Sequence, residues 1–162
     1  MNRWLRCAFG YSCLLAACED DMRDSLAADG GDEAEFEGCP DTTPSFSLGM
    51  STSSPNGNVE AVLLAASRVP PARFLNDWTV SFVDAESKPL SDVMLRSVRA
   101  FMPVHGHYGL PDPKLAPHEA EAAVFDIDAL NLFMRGPWQI KLEVSSPESG
   151  NAELIFEVCV EE

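Results

Sequence analysis

The sequence is short of basic residues. Its 162 residues include 11 lysines and arginines against 26 aspartates and glutamates, a formal net charge of −15 at pH 7. A protein that binds nucleic acid needs a basic surface to displace counterions from phosphates, so the composition argues against nucleic acid as a partner. The same shortage argues against a polybasic module for membrane surfaces.

The local motifs of common enzymes are also absent. The sequence has no Gly-x-Ser-x-Gly elbow, no Walker loop, no His-Glu-x-x-His helix and no dinucleotide-binding fingerprint. We therefore expect no catalytic activity. The chain has about the length of one domain and is 46% hydrophobic and 23% charged, which is typical of a folded protein.

The first 17 residues have the pattern of a signal peptide. Arg3 and Arg6 give a positive start, and residues 7–17 form an apolar stretch too short to span a bilayer. The sequence at 15–18, Leu-Ala-Ala-Cys, resembles the lipobox of bacterial lipoproteins. This resemblance implies cleavage before Cys18 and a lipid on Cys18, which would anchor the chain to a membrane on the extracytoplasmic side of the bacterial cell envelope. Cleavage without lipidation is the alternative, and the sequence leaves inner and outer membrane equally open.

An acidic, disordered tether is predicted over residues 18–39. Residues 19–37 hold many Asp, Glu, Ala and Gly but few large apolar side chains, too few to offset the entropy of ordering the chain. Removal of residues 1–17 takes away two arginines and no acid, so the mature chain has a formal charge of −17. The folded domain is expected over residues 40–162.

From Pro40 onward the chain has the pattern of an all-β domain, in which short apolar runs alternate with turn-forming Pro, Gly, Asn, Asp and Ser. The clearest strand, 138–145, alternates apolar and polar residues, and a turn cluster at 146–151 joins it to 154–160 in a predicted hairpin. Segments 78–82 and 93–101 are expected to pair with each other. The remaining predicted strands are 45–50, 59–67 and 124–129.

About seven strands of this length are typical of an immunoglobulin-like antiparallel β-sandwich, with a closed barrel as the alternative. Trp78 and Trp138 are predicted to lie in the core between the sheets. In the strand at 124–129, the odd-numbered residues are expected on the inner face. Asp126 and Asp128 are interpreted as an exposed acidic strand edge rather than a hard-cation site.

Cysteine use fits an oxidising compartment. Cleavage leaves three of the five cysteines, and lipidation of Cys18 leaves Cys39 and Cys159 as an even pair. Such a pair is predicted to form a disulfide, with two free thiols as the alternative. Cys159 is expected to point away from the core, where a segment carrying Cys39 could reach it.

The segment 102–109, Met-Pro-Val-His-Gly-His-Tyr-Gly, contains two of the three histidines. Side chains two residues apart in an extended chain lie on one side, so His105 and His107 could offer two imidazoles to one ion. Met102 adds a thioether, and Met134 begins a strand that is a candidate neighbour. Imidazole with thioether favours copper, especially Cu(I), over magnesium or calcium, and the lack of cysteine in the segment disfavours structural zinc.

A structural interpretation of this segment stays open. The two imidazoles would then form hydrogen bonds within a tight loop, while Met102 and Met134 fill gaps in the core. His118 is interpreted as a solvated loop residue rather than a third imidazole of the same site.

The part of the chain over 70–160 resembles the YtkA-like domain family, small immunoglobulin-like β-sandwiches of bacterial envelope proteins and lipoproteins. The features that carry this resemblance are Pro70-Pro71, Asn76-Asp77-Trp78, Asp84 to Pro89, Met102 to His107 and Met134 to Trp138. The resemblance implies an immunoglobulin-like fold and copper handling, with Met102, His105, His107 and Met134 as candidate ligands. The alternative function is an envelope scaffold or interaction domain that holds no metal and recognises another envelope protein.

Overall fold

The structure is a computed structural model that describes residues 38–119, 121–147 and 149–161. The predicted signal peptide, the predicted lipidation site Cys18 and the tether up to residue 37 lie outside the described residues. Within the described part, no helix is long and apolar enough to cross a membrane.

Two antiparallel sheets form the described part of the chain. Their orders are β1-β2-β3-β7-β6 and β5-β4-β8-β9. The strands are β1 (Ser51–Ser53), β2 (Glu60–Ala66), β3 (Phe74–Val83), β4 (Met94–Met102), β5 (His107–Tyr108), β6 (Lys114–Pro117), β7 (Val124–Leu132), β8 (Gly136–Ser146) and β9 (Gly150–Val160). The predicted all-β class is confirmed, and the two sheets enclose one core as in a β-sandwich.

The strand count differs from the predicted seven because β5 and β6 are too short to leave a clear alternation in the sequence. The segment 45–50, predicted as a strand, does not form one, and β1 starts only at Ser51. Its apolar residues are used differently. Phe46 packs against the core, its ring 5.5 Å from that of Trp78, and Met50 also packs there.

The predicted hairpin near the C-terminus is confirmed as β8 and β9. The two strands pair without interruption from Gly136 opposite Val160 to Ser146 opposite Gly150. Every second residue is buried along all of β8 and, in β9, from Leu154 to Val160, because one face of this sheet packs on the core and the other faces solvent.

The core joins the two sheets through large side chains. Trp78 of β3 meets Phe156 of β9 edge to face, with ring centroids 5.9 Å apart. Trp138 of β8 is also buried, so the prediction of both tryptophans as core residues is confirmed. Aromatic pairs in this geometry add stability beyond the area they bury.

The predicted pairing of 78–82 with 93–101 is wrong. β3 pairs with β2 and β7, whereas β4 pairs with β5 and β8 in the other sheet. The connection 84–93 crosses between the sheets, because its buried residues Leu90 and Val93 close the core at this end. A turn at Asp84, whose carboxylate accepts the backbone N–H groups of Glu86 and Lys88, starts the crossing.

The prediction for β7 is correct only in its first half. Phe125 and Ile127 pack inward, but a bulge opposite Asp77 shifts the inner face to even-numbered residues, so Leu130 is buried. Ala129 takes a φ of 60° at this bulge, and its N–H donates to the Asp77 carboxylate at 2.9 Å.

The prediction of an acidic strand edge is also wrong. β7 lies between β3 and β6 and is therefore an interior strand.

A disulfide joins Cys39 to Cys159, as predicted, with the two Cα atoms 5.8 Å apart. Cys159 lies on the outer face of β9, between the buried residues Val158 and Val160. The bond therefore fixes the start of the described chain to its last strand.

Replacing both cysteines, Cys39→Ser with Cys159→Ser, should lower the free energy of unfolding by about 4–5 kcal/mol. The bond closes a loop with a sequence separation of 120, and closing a long loop restricts the unfolded chain. Urea denaturation of the parent and the double variant measures the difference. The parent unfolded in reductant should match the variant, and an unchanged midpoint would contradict the prediction.

Candidate functional site

The two neighbouring histidines lie on a tight hairpin between β4 and β5. His107 pairs with Met102 across this hairpin. Gly106 closes the turn, because its N–H donates to the Met102 carbonyl at 2.9 Å and its φ of +65° is a conformation that glycine adopts without strain. The spacing of two residues therefore brings the histidines together through a turn rather than along one extended strand.

The two imidazole rings lie beside each other. Their centroids are 5.6 Å apart and their planes differ by 10°. Two imidazoles bound to one ion through bonds of about 2.0–2.1 Å can have centroids up to roughly 6 Å apart. The separation suits a shared ion. Nearly parallel rings would have to turn toward it, and the exposed His105 has the freedom to do so.

His107 packs into an aromatic cluster at the end of the core. Its ring stacks on Phe133 at 5.1 Å and meets the edge of Trp138 at 6.1 Å. Its Nε2 atom is buried and has no hydrogen-bond partner among the residues that the structure describes. A buried polar atom left unpaired costs about 1–3 kcal/mol, so it needs an explanation, and a bound metal ion is one.

The two methionines differ in position. Met102 is fully buried and stands directly opposite His107, so its side chain lies on the same inward face of the hairpin. Met134 is half-buried in the turn between β7 and β8, and its carbonyl accepts the Trp138 indole N–H at 3.0 Å. The structure thus unites Met102, His105 and His107 in one hairpin and places Met134 in the turn whose Phe133 contacts His107.

The hairpin is seated closely on the neighbouring sheet. The N–H of Gly109 donates to the Ala100 carbonyl at 2.9 Å, and a side chain at position 109 would overlap the backbone carbonyl of Asn131. Tyr108 points to the opposite face from His107, where its ring lies 3.9 Å below the guanidinium of Arg99. Tyr108 therefore leaves the imidazole pair uncrowded.

Sequence reasoning missed the walls of this site. Phe133 and Trp138 enclose the His107 ring, and Arg73 fixes the turn because its Nε donates to the Phe133 carbonyl at 3.2 Å. The position of Phe133, directly before the candidate ligand Met134, could have indicated that its ring lies next to the site.

His118 lies at the other end of the sandwich, after β6, and does not complete the site. It is only partly exposed, because its Nδ1 lies 2.9 Å from an Asp126 carboxylate oxygen, and Thr79 donates to the same carboxylate at 2.8 Å. The bond to Asp126 raises the pKa of His118. The same bond, with help from Thr79, lowers the pKa of Asp126.

No group of three or more His, Cys, Asp or Glu residues suited to a metal ion occurs in the described ranges. The predicted ligand set contains only two residues of these types and takes its other two donors from methionine. The hard-cation interpretation of Asp126 and Asp128 gains no third carboxylate here.

Replacing His118 with Gln should destabilise the domain more at about pH 5 than at about pH 8. Because the pKa of His118 is raised in the folded state, its contribution is complete below the ordinary value of 6.5 and is lost as the pH rises through the folded pKa. The contribution of Asp126, whose pKa is lowered, is present above 3.8 and is lost as the pH falls through its folded pKa. The pair therefore stabilises the fold between these limits.

Urea denaturation at both pH values measures this difference. With Asp126→Asn as the background, the effect of His118→Gln should differ much less between the two pH values, because only the charges of Glu119 and Glu121 then raise the pKa of His118. An equal effect in the parent background would contradict the prediction.

Comparisons of the chain with protein-family profiles, with curated proteins and with solved structures found no match. The resemblance to the YtkA-like family therefore stays a prediction from the motifs of this sequence.

Proposed function

We propose that this chain is a lipid-anchored, extracytoplasmic, non-catalytic domain of the bacterial cell envelope, with an immunoglobulin-like sandwich that binds or buffers a soft metal ion. Cu(I) is the ion that its donors suit best. Met102, His105, His107 and Met134 are the proposed ligands, and Cys18 is the proposed site of the lipid.

One observation carries the metal proposal. The buried Nε2 atom of His107 has no hydrogen-bond partner among the described residues, and it belongs to a ring 5.6 Å from that of His105. Met102, whose side chain shares the inward face of the hairpin, brings a soft donor to the same place. Neutral imidazole and thioether groups are the ligands that Cu(I) prefers in proteins.

The charges around the hairpin favour a monovalent over a divalent ion. Arg135 follows Met134 in the turn between β7 and β8. Arg73 donates a hydrogen bond to the carbonyl of Phe133, the residue before Met134. Coulomb repulsion from these guanidinium groups doubles when the charge of the ion doubles, and the four proposed ligands bring no negative charge to offset it. This balance supports Cu(I) rather than Cu(II) or Zn²⁺.

A second candidate function is an envelope interaction domain without metal. It is favoured by the packing of His107, which fills the space between Phe133 and Trp138 as an aromatic residue would. In this interpretation the hairpin is a structural element, and the outer surface of the sandwich recognises a partner.

The mature chain should bind one Cu(I) ion, and His105→Ala with His107→Ala should weaken the affinity at least tenfold. Removing both imidazoles leaves only thioether donors, and even changes outside the ligands of a metal site alter affinity about 10–100-fold. Titration against a colorimetric Cu(I) chelator measures the affinity, with circular dichroism as the test of folding.

His118→Ala is the matched control, because His118 lies at the opposite end of the domain and should leave the affinity unchanged. Equal Cu(I) affinity in the parent and in a folded double variant would contradict the metal proposal and favour the interaction domain.

The variant His107→Phe should separate ligation from packing. A phenyl ring keeps the aromatic stack on Phe133 and removes the buried unpaired nitrogen, so the free energy of unfolding should stay equal or rise by up to about 3 kcal/mol. The Cu(I) affinity should nevertheless fall, as it should in the double variant His105→Ala with His107→Ala. Urea denaturation and the chelator titration measure the two effects, and undiminished Cu(I) binding by this variant would contradict a ligand role for His107.

A further inference from the structure

Exposed apolar side chains concentrate at one end of the domain. Eight large hydrophobic side chains of the described residues are exposed, and five of these belong to the end that carries the histidine hairpin. These five, 53–65% exposed, form what we name the apolar tip: Val69, Phe74, Leu75, Val104 and Leu110.

Contacts between the loops hold the tip together as one surface. The turn 133–135 crosses between the sheets, with Arg73 bonded to its Phe133 carbonyl and His107 stacked on its Phe133 ring. Leu75 pairs with Asn131 across the strands, and the Asn131 amide donates to the Leu110 carbonyl at 2.6 Å. The apolar residues thus come from the start of β3 and from several loops around it.

Four loops at this end have a charge opposite to that of the whole chain. These loops, 67–73, 103–106, 109–113 and 133–135, carry three arginines against one aspartate, which pairs with Arg99 at 4.0 Å. Glu161, directly after β9, lies at the same end. The loops 84–93 and 118–123, at the other end, carry five carboxylates against one lysine. The net charge of the sequence conceals this polarity, because basic residues far apart in the chain meet only after folding.

Apolar side chains bordered by arginine match the interface of an anionic phospholipid bilayer. Arginine attracts lipid phosphates, while the apolar side chains enter the boundary between headgroups and acyl chains. At Phe74 both features meet, since the Arg73 guanidinium lies 5.0 Å above the ring.

The chain also enters the domain at this end. Cys39 is bonded to Cys159, which pairs with Pro137 at the start of β8. Residues 19–38 separate this point from Cys18. A lipid on Cys18 would therefore hold the tip close to the bilayer and raise the effective concentration of lipid at the tip.

We propose that the apolar tip docks on the surface of an anionic phospholipid bilayer, with Arg68, Arg73 and Arg135 facing the lipid phosphates. The docking goes beyond the proposed metal binding and does not depend on it. The lipid on Cys18 only raises the local concentration of the bilayer.

A tryptophan reporter tests whether the tip enters the lipid. The chain from Cys18 onward, with Cys18→Ser to prevent lipidation, is mixed with vesicles of phosphatidylglycerol and phosphatidylethanolamine. Leu75→Trp should show a blue-shifted emission and quenching by brominated lipids. Met94→Trp is the matched control, because Met94 is 53% exposed, as Leu75 is, and lies at the start of β4, far from the tip. This variant should show neither effect.

Charge reversal tests the arginines in a sedimentation assay with the same vesicles. Arg68→Glu with Arg135→Glu should weaken binding at least about tenfold. Lys88→Glu with Arg96→Glu changes the net charge equally, away from the tip, and should have little effect. Circular dichroism checks the folding of all variants, and Cu(I) titration of each keeps this result separate from that of the metal proposal.

Three results would overturn the docking proposal. The parent protein could fail to bind the vesicles, and a protein partner would then be the remaining candidate for the tip. The two tryptophan reporters could respond alike, or the control pair of charge reversals could weaken binding as much as the tip pair.

Discussion

The packing of the two sheets on one core is the constraint on which the rest of the structure depends. Trp78 and Phe156 meet across the sheets, and Trp138 is buried in the same core. Because a packed core tolerates little change in volume, it fixes the positions of the strand ends and of the turns between them. The histidine hairpin follows from this constraint, since Met102, the last residue of β4, is itself a core residue.

The two ends of the domain differ in chemistry. One end holds the imidazole pair, the apolar side chains and the arginine-rich loops, while the other holds the carboxylate-rich loops and the ion pair of His118 with Asp126. The two proposals concern the same end, so an ion held by the hairpin would lie next to the bilayer on which the tip is proposed to dock.

Local patterns predicted the strands well, and non-local pairing limited the rest. The alternation in 138–145 and 154–160 identified both strands and their inner faces, because alternation reports burial directly. The partner of 93–101 was predicted wrongly, because the chain crosses between the sheets at 84–93 and the buried Leu90 and Val93 decide that path. The bulge at Ala129 has a similar cause, since it depends on the Asp77 carboxylate of a different strand.

The sequence by itself determined the all-β class, because local alternation of apolar and polar residues reports strands. It determined the pairing of Cys39 with Cys159, because these are the even pair that remains, and the closeness of His105 to His107, because only one residue separates them. Only the tertiary structure decided that Phe133 and Trp138 enclose His107 and leave its Nε2 unpaired among the described residues. It also decided that arginines and exposed apolar residues from separate parts of the chain meet at one end. These features join residues distant in the chain, and the packing of one sheet on the other alone brings them together.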